Sequence, residues 1–325
     1  MPRMDANERE SVRMISRRAF GLAGMAVAAR AQILQPRPKP APPKEQLPQP
    51  NIRVDTSLVL IPVSVNDPLN RPVTGLEKEN FRLFDDRVEQ TIAQFAMDDE
   101  PVAVGLVFDT SGSMGDKLKT SRMAARQFFN TSTPDEDEFF LVEFDNKPRL
   151  EVPLTRDTGT IESQLTFSKS HGSTALLDAI LMAVHEMRRS KKKKKALLII
   201  SDGGDNHSRY SQKEVENVVR ESDVLIYAIG VFGGGSSPEE YGGPGLLTHI
   251  AESTGGRMYP ASVADMPDIA KKIGIDLRNR YVLGYSPANQ VRDGRYHRVD
   301  VRIVPPRGLP KLQAHWRTGY FAPAD

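Results

Sequence analysis

Asp109, Ser111 and Ser113 alternate within VFDTSGSM (107–114), directly after the apolar run that begins at Val102. A loop folding back over a strand end can point every second side chain into one cavity. One carboxylate with two hydroxyls then forms a hard, oxygen-only, weakly charged partial shell. Two further oxygen-bearing side chains stand where the same edge of a sheet would gather them: Thr174 in HGSTALLDA, at the start of a long helical pattern, and Asp202 in SDGGDN, after the apolar ALLII. In an open α/β sheet, ligands collect at the carboxyl ends of the strands. Together the side chains carry two formal negative charges and suit an octahedral divalent cation, Mg²⁺ first and Mn²⁺ or Ca²⁺ as alternatives, at about 2.0–2.1 Å with water in the remaining positions. Such an ion stays close to neutral and can still accept an anionic oxygen from a partner.

Other chemistries fit less well. No G-x-S-x-G elbow surrounds either serine, and His171, His185 and His207 have no motif context that marks a base, although His171 and His207 lie in the candidate loops and suit a rim position. Phosphate-loop and dinucleotide fingerprints are absent. A phosphatase of the haloacid dehalogenase type wants a second Asp where Ser111 stands. The chain has no cysteine, which excludes disulfides, thiolate metal sites and cysteine nucleophiles. A formal net charge of +2 on 325 residues gives no basic excess for nucleic acid. DTSG as an Asx turn and SDGG as a simple turn would leave the coincidence at three strand ends unexplained. A non-enzymatic binding role is therefore expected.

The elements that must position these residues are legible from periodicity. VAVGLVFD, EFFLVEFD, ALLIISD and VLIYAIGVF read as strands buried on both faces, and PRLEVPLT as an antiparallel edge. KLKTSRMAARQFFN, TALLDAILMAVHEMRR, SQKEVENVVRES, GLLTHIAEST and MPDIAKKIGIDLRNR have helical spacing, with GRMYPA a short strand. This alternation predicts a doubly wound, mostly parallel α/β sheet over residues 100–279. The flanks, 53–99 and 280–325, each read as two or three short strands. Neither can bury a core alone, so the two should pair into one small β-sandwich with the α/β domain inserted in it. Lys191–Lys195 is expected to form a solvated connection, GVFGGGSSPEEYGGPG a mobile Gly-rich loop near the metal rim, and Trp316 and Tyr320 parts of the sandwich core. Asp205 is within reach of the metal or its water shell, and Asp178 reads as a local hydrogen-bonding partner.

Residues 1–31 resemble a twin-arginine export signal, with Ser16, Arg17, Arg18 and Phe20 in matching positions, Gly21 where Leu is usual, and Ala29-Arg30-Ala31 as a cleavage pattern. Residues 32–52 are Pro-rich and expected to be an extended linker. The apolar run is far shorter than the ~20 residues that span a bilayer. Export to the periplasm or the cell exterior follows from this resemblance.

The constellation Asp109-x-Ser111-x-Ser113, Thr174 and Asp202 resembles the metal-ion-dependent adhesion site of the von Willebrand factor A family. The flanks RPVTGLEKENFRLFDD, YVLGYSP and RTGYFAP are similar to those of bacterial exported proteins with a related domain. The resemblance implies that Asp109, Ser111 and Ser113 hold the ion directly and that Thr174 and Asp202 hold it directly or through water. It also implies a protein partner whose acidic side chain completes the coordination. A metal-assisted hydrolase, or an envelope component with a rigidifying metal, are the alternatives.

Overall fold

A computed structural model describes residues 58–98, 100–132, 136–232, 238–288 and 293–324. The export signal and Pro-rich linker expected over 1–52 lie outside the described residues, as do 233–237 of the Gly-rich stretch. No helix among the described residues is long and apolar enough to cross a membrane.

The first flank contributes β1 (Val59–Asn66), β2 (Phe81–Asp85), β3 (Val88–Gln90) and β4 (Gln94–Asp98). The α/β part follows as β5 (Val102–Asp109), α1 (Leu118–Phe129), β6 (Glu138–Phe144), β7 (Pro148–Thr155), α2 (Thr158–Phe167), α3 (Leu176–Met187), β8 (Lys194–Ser201), α4 (Gln212–Glu221), β9 (Leu225–Gly230), α5 (Pro238–Ser253), β10 (Met258–Pro260) and α6 (Met266–Arg278). The second flank returns as β11 (Arg280–Tyr285), β12 (Tyr296–Ile303), β13 (Gln313–Trp316) and β14 (Gly319–Phe321).

The central sheet has the order β10-β9-β8-β5-β6-β7, parallel throughout except for the antiparallel edge β7. Every residue of β5 is buried because helices cover both faces. Leu118, Phe128, Ile161, Leu165, Met266 and Ile273 pack on one face, and Leu176, Ile180, Val184, Val215, Leu247 and Ile250 on the other. Gly105 is required in the middle of β5, since a Cβ there would lie 2.2 Å from the Phe140 ring and 2.7 Å from Leu197. The chain leaves β5 towards β6 on one side and returns with β8 on the other, so the strand order reverses at β5 and opens a crevice at its carboxyl end.

The flanks do pair. One antiparallel sheet has the order β13-β1-β11-β4 and the other β14-β12-β2-β3, so each contains strands from both ends of the chain. Ile61, Val63, Phe81 and Leu83 from the first flank share a core with Tyr281, Leu283, Tyr285, Val299 and Val301 from the second. Trp316 and Tyr320 pack against this core, partly buried. A buried polar network joins the sandwich to the α/β part. Arg280, fully buried, donates to Tyr227 Oη (2.7 Å), Gly255 O (3.1 Å) and Pro62 O (3.2 Å). Tyr227 Oη donates to Asp276 Oδ2 (2.7 Å), whose Oδ1 accepts the Ser64 hydroxyl.

Several local expectations need correction. Helix α2 carries only Ile161 and Leu165 as buried residues and a weak apolar stripe, so periodicity did not reveal it; Asp157 caps it, accepting from Gly159 N. The lysine run is not wholly solvated. Lys194 is buried at the start of β8, where Asp98 Oδ2 at 3.1 Å compensates its charge. The Gly-rich stretch is helical from Pro238 onward despite Gly242, Gly243, Pro244 and Gly245, because tertiary packing overrides weak helix propensity.

Candidate metal centre

Three loops meet at the carboxyl edge of the sheet. The first leaves β5 at Asp109, whose side chain is fully buried. Its Oδ1 accepts the Ser111 N–H (2.8 Å) and its Oδ2 accepts the Ser201 hydroxyl (2.6 Å). Ser111 is extended, after which Gly112–Lys117 winds as a 3₁₀ turn anchored by buried Met114 and runs into α1. This brings the Ser111 and Ser113 hydroxyl oxygens to 3.1 Å from one another. Adjacent ligands of an octahedral ion bound at about 2.0–2.1 Å are separated by about 2.8–3.0 Å, so the two hydroxyls stand close to where neighbouring ligands would.

The second loop places Thr174, buried, just before α3. Its N–H donates to Asn206 Oδ1 (2.9 Å), and its carbonyl accepts from the Asn206 and His207 N–H groups (3.0 and 3.1 Å). Asn206 and His207 belong to the third loop, which also carries Asp202. The first and second loops are joined by Gly112 N–H to Gly172 O (3.0 Å) and His171 N–H to Thr110 O (2.9 Å). Backbone hydrogen bonds therefore stitch the three loops into one edge.

Asp202 is 2% exposed, and the Lys117 ammonium lies 3.2 Å from its Oδ2. Behind it, Gly203 adopts a φ of +80° and backs onto Gly243 of α5. A Cβ on Gly243 would lie 2.7 Å from the Gly203 carbonyl carbon and 2.8 Å from Asp202 O, which explains the glycine in that helix. Burial, and then the charge of Asp202, push the Asp109 carboxyl up to about 7, against the lowering effect of its bonds from Ser111 and Ser201. Two buried carboxylates that raise one another's energy, beside paired hydroxyls, form a set that a divalent cation suits.

Residues 104–204 match the family model of the von Willebrand factor type A domain. The α/β part of the chain has the fold of a von Willebrand factor type A domain. No curated protein matches the sequence. Among solved structures, a von Willebrand factor type A protein from Catenulispora acidiphila is similar at a TM-score of 0.50 and 16% identity, covering 74% of this chain and 62% of that one. The von Willebrand factor domain of the type V pili tip protein Mfa5 from Porphyromonas gingivalis aligns at 0.45 and 16%, over 55% of this chain and 97% of its own. An aerotolerance-related membrane protein from Bacteroides fragilis aligns at 0.45 and 16%, over 54% and 98%. These likenesses concern the fold.

Within this von Willebrand factor type A fold, other acidic residues near the edge are committed elsewhere. Asp205 Oδ2 accepts Leu177 N–H (2.8 Å) and the Ser208 hydroxyl (2.6 Å), tying the third loop to the start of α3. Asp178 is not a local partner: its Oδ1 accepts Arg209 N–H (2.9 Å) and Tyr210 N–H (3.2 Å) from that same loop. His171 is exposed at the rim, with Nδ1 3.2 Å from Asp145 Oδ2, while Arg149 holds both oxygens of that buried carboxylate at 2.9 Å. Sequence reasoning missed Ser201, Lys117 and Asp145. Ser201 could have been found from register: Phe108 pairs with Ile200, so the next step brings Ser201 beside Asp109.

Proposed function

We propose that the chain is an exported, non-enzymatic module that binds a protein partner through a divalent cation at this edge. Asp109, Ser111 and Ser113 would hold the ion directly, and Thr174 and Asp202 directly or through water, with Mg²⁺ the ion the oxygen donors favour. When bound, the ion would offer an open position to an acidic side chain of the partner. The observation that carries this reading is the convergence of two buried carboxylates and a pair of hydroxyls 3.1 Å apart on three interlocked loops.

The chain's own residues divide the work. Ser201 and the Ser111 N–H orient the Asp109 carboxylate, Asn206 fixes the Thr174 backbone, and Gly243 lets α5 close against the Asp202 loop. The imidazole of His171, at the rim, faces a carboxylate already neutralised by Arg149, an arrangement that favours a binding role over water activation.

Capture of cell-envelope proteins by the purified chain, with Mg²⁺ or with chelator and with Asp109→Ala, tests the reading. A partner retained by wild type in Mg²⁺, and lost both in chelator and in the variant, supports it. Metal-independent capture of the same partner overturns it. Fusion of residues 1–52 to a reporter that is active only after folded export tests the export signal.

A further inference from the structure

A second cluster of ligating atoms lies in the sandwich, away from the three loops. Asp85 ends β2, Asp86 begins the turn to β3, and His297 stands on β12, which pairs with β2. One atom from each of these residues lies within 4.8 Å of the others. Asp86 Oδ2 is 2.9 Å and Asp85 Oδ1 4.0 Å from His297 Nδ1. Ligands on a tetrahedral ion bound at about 2.0–2.1 Å stand about 3.3–3.4 Å apart, between the two observed distances.

Independent of that proximity, Asp85 Oδ1 is a buried oxygen with no hydrogen-bond partner, on a side chain only 7% exposed, and it faces the imidazole. An orphaned buried carboxylate oxygen is costly and calls for a counter-ion or donor. Asp86 Oδ2 and His297 Nδ1 hydrogen-bond one another at 2.9 Å, and the outer side-chain atoms of the three residues have partners of their own. Asp85 Oδ2 accepts the Tyr285 and Tyr320 hydroxyls (3.0 Å each), Asp86 Oδ1 accepts Arg298 N–H (3.0 Å), and His297 Nε2 faces Asp293 Oδ1 at 3.4 Å. The Tyr320 ring stacks on the imidazole, with centroids 5.5 Å apart. These outer contacts are the kind that orient metal ligands, and they leave the unpartnered Asp85 Oδ1 facing the Asp86 Oδ2–His297 Nδ1 pair, whose shared proton a bound ion would replace.

We propose that Asp85, Asp86 and His297 form a second metal site, for a borderline divalent ion such as Zn²⁺, that clips the two ends of the chain together across the β2–β12 pair. One nitrogen and two carboxylate oxygens with a fourth position for water are a zinc donor set, whereas the all-oxygen site at the other edge suits Mg²⁺. The lone pair of Nδ1 forms the Zn–N bond, and any proton it carries leaves to solvent. This site stands independently of the function proposed above.

The test is a Zn²⁺ titration of the chelator-stripped full chain by calorimetry, with Mg²⁺ in excess throughout. Wild type and Asp202→Ala should each bind one Zn²⁺ at this site with equal affinity. His297→Gln should weaken binding by about a hundredfold or more, and Asp293→Asn, which weakens the hold on the ring, by about tenfold. X-ray absorption of the wild-type Zn²⁺ complex should show one imidazole in an otherwise oxygen shell, a readout that needs no variant to fold. No stoichiometric Zn²⁺, affinity unchanged by His297→Gln, or a shell without imidazole would each overturn the proposal.

Discussion

Replacing Asp109 with Asn separates the electrostatic cost of the carboxyl-edge site from its binding role. In the folded chain burial and the Asp202 charge raise the Asp109 carboxyl from the ordinary 3.8 to about 7. Between about pH 4 and about pH 7 the folded protein therefore keeps a proton that the unfolded chain has lost, so metal-free stability falls as pH rises. At about 1.4 kcal/mol per pH unit, the loss over that window is about 4 kcal/mol. It is complete above the folded pKa and absent below the unfolded one. Asn is nearly isosteric, cannot ionise, and can still accept the Ser111 N–H and bond the Ser201 hydroxyl. In chelator, urea unfolding of wild type should lose about 4 kcal/mol more across the window than Asp109→Asn, which lacks this contribution and is the more stable protein at pH 8. With Mg²⁺ at about 100 times its Kd, wild type should gain about 2.7 kcal/mol and the variant almost nothing. Parallel pH profiles for the two proteins in chelator would refute the electrostatic reasoning. An undiminished Mg²⁺ gain in the variant would refute the assignment of Asp109 as a ligand.

Three further substitutions probe what holds the edge and the junction. Lys117→Met removes the ammonium 3.2 Å from Asp202; Mg²⁺ affinity by calorimetry should rise roughly tenfold, about 1.4 kcal/mol, well inside the repulsion between cations about 4 Å apart near a protein surface. Gly243→Val places a branched Cβ where 2.7 Å separates it from the Gly203 backbone; it should lower Mg²⁺ affinity about tenfold by moving the Asp202 loop without touching a ligand. Arg280→Ala takes the guanidinium from Tyr227 and two carbonyls and leaves these buried acceptors without their donor. Chemical unfolding should show a loss of about 3 kcal/mol or more, at about 1–3 kcal/mol for each unsatisfied group, and a loss below about 1 kcal/mol would mean that the network is dispensable.

Much of this architecture was legible because its signals are local. The continuous apolar runs at Val102–Phe108 and Ala196–Ile200 can only be strands covered on both faces, and polar residues at their carboxyl ends then fall on one edge. The pairing of the flanks followed from a shortage, since two or three strands cannot enclose Phe81, Tyr281 and Tyr285 alone. What escaped depends on partners far away in sequence. Lys194 looks solvated within its lysine run until Asp98 is seen beside it. Gly243 looks like a helix breaker until Gly203 is found against it. Asp85 and His297 belong to strands of opposite flanks, and no spacing rule joins residues more than 200 positions apart.

The insertion also leaves the loops at the carboxyl edge clear of the sandwich. The sandwich hands the chain over at the amino ends of the parallel strands: β4 leads into β5, and Lys194 at the start of β8 pairs with Asp98 of β4. Helices antiparallel to those strands end on the same side, where Arg317 donates to Arg220 O at the close of α4 and Thr318 to Ser253 O at the close of α5. Asp109 ends the same strand that Val102 begins, and an eight-residue strand is about 26 Å long. The contacts that fix the sandwich to the α/β part are thus separated from the metal loops by the length of the sheet. Strengthening or breaking the junction should change stability without changing the shape of the edge. If Arg280→Ala, assayed below its unfolding transition, altered Mg²⁺ affinity as much as Gly243→Val does, the two ends of the sheet would have to be mechanically coupled, and this separation of anchoring from binding would fail.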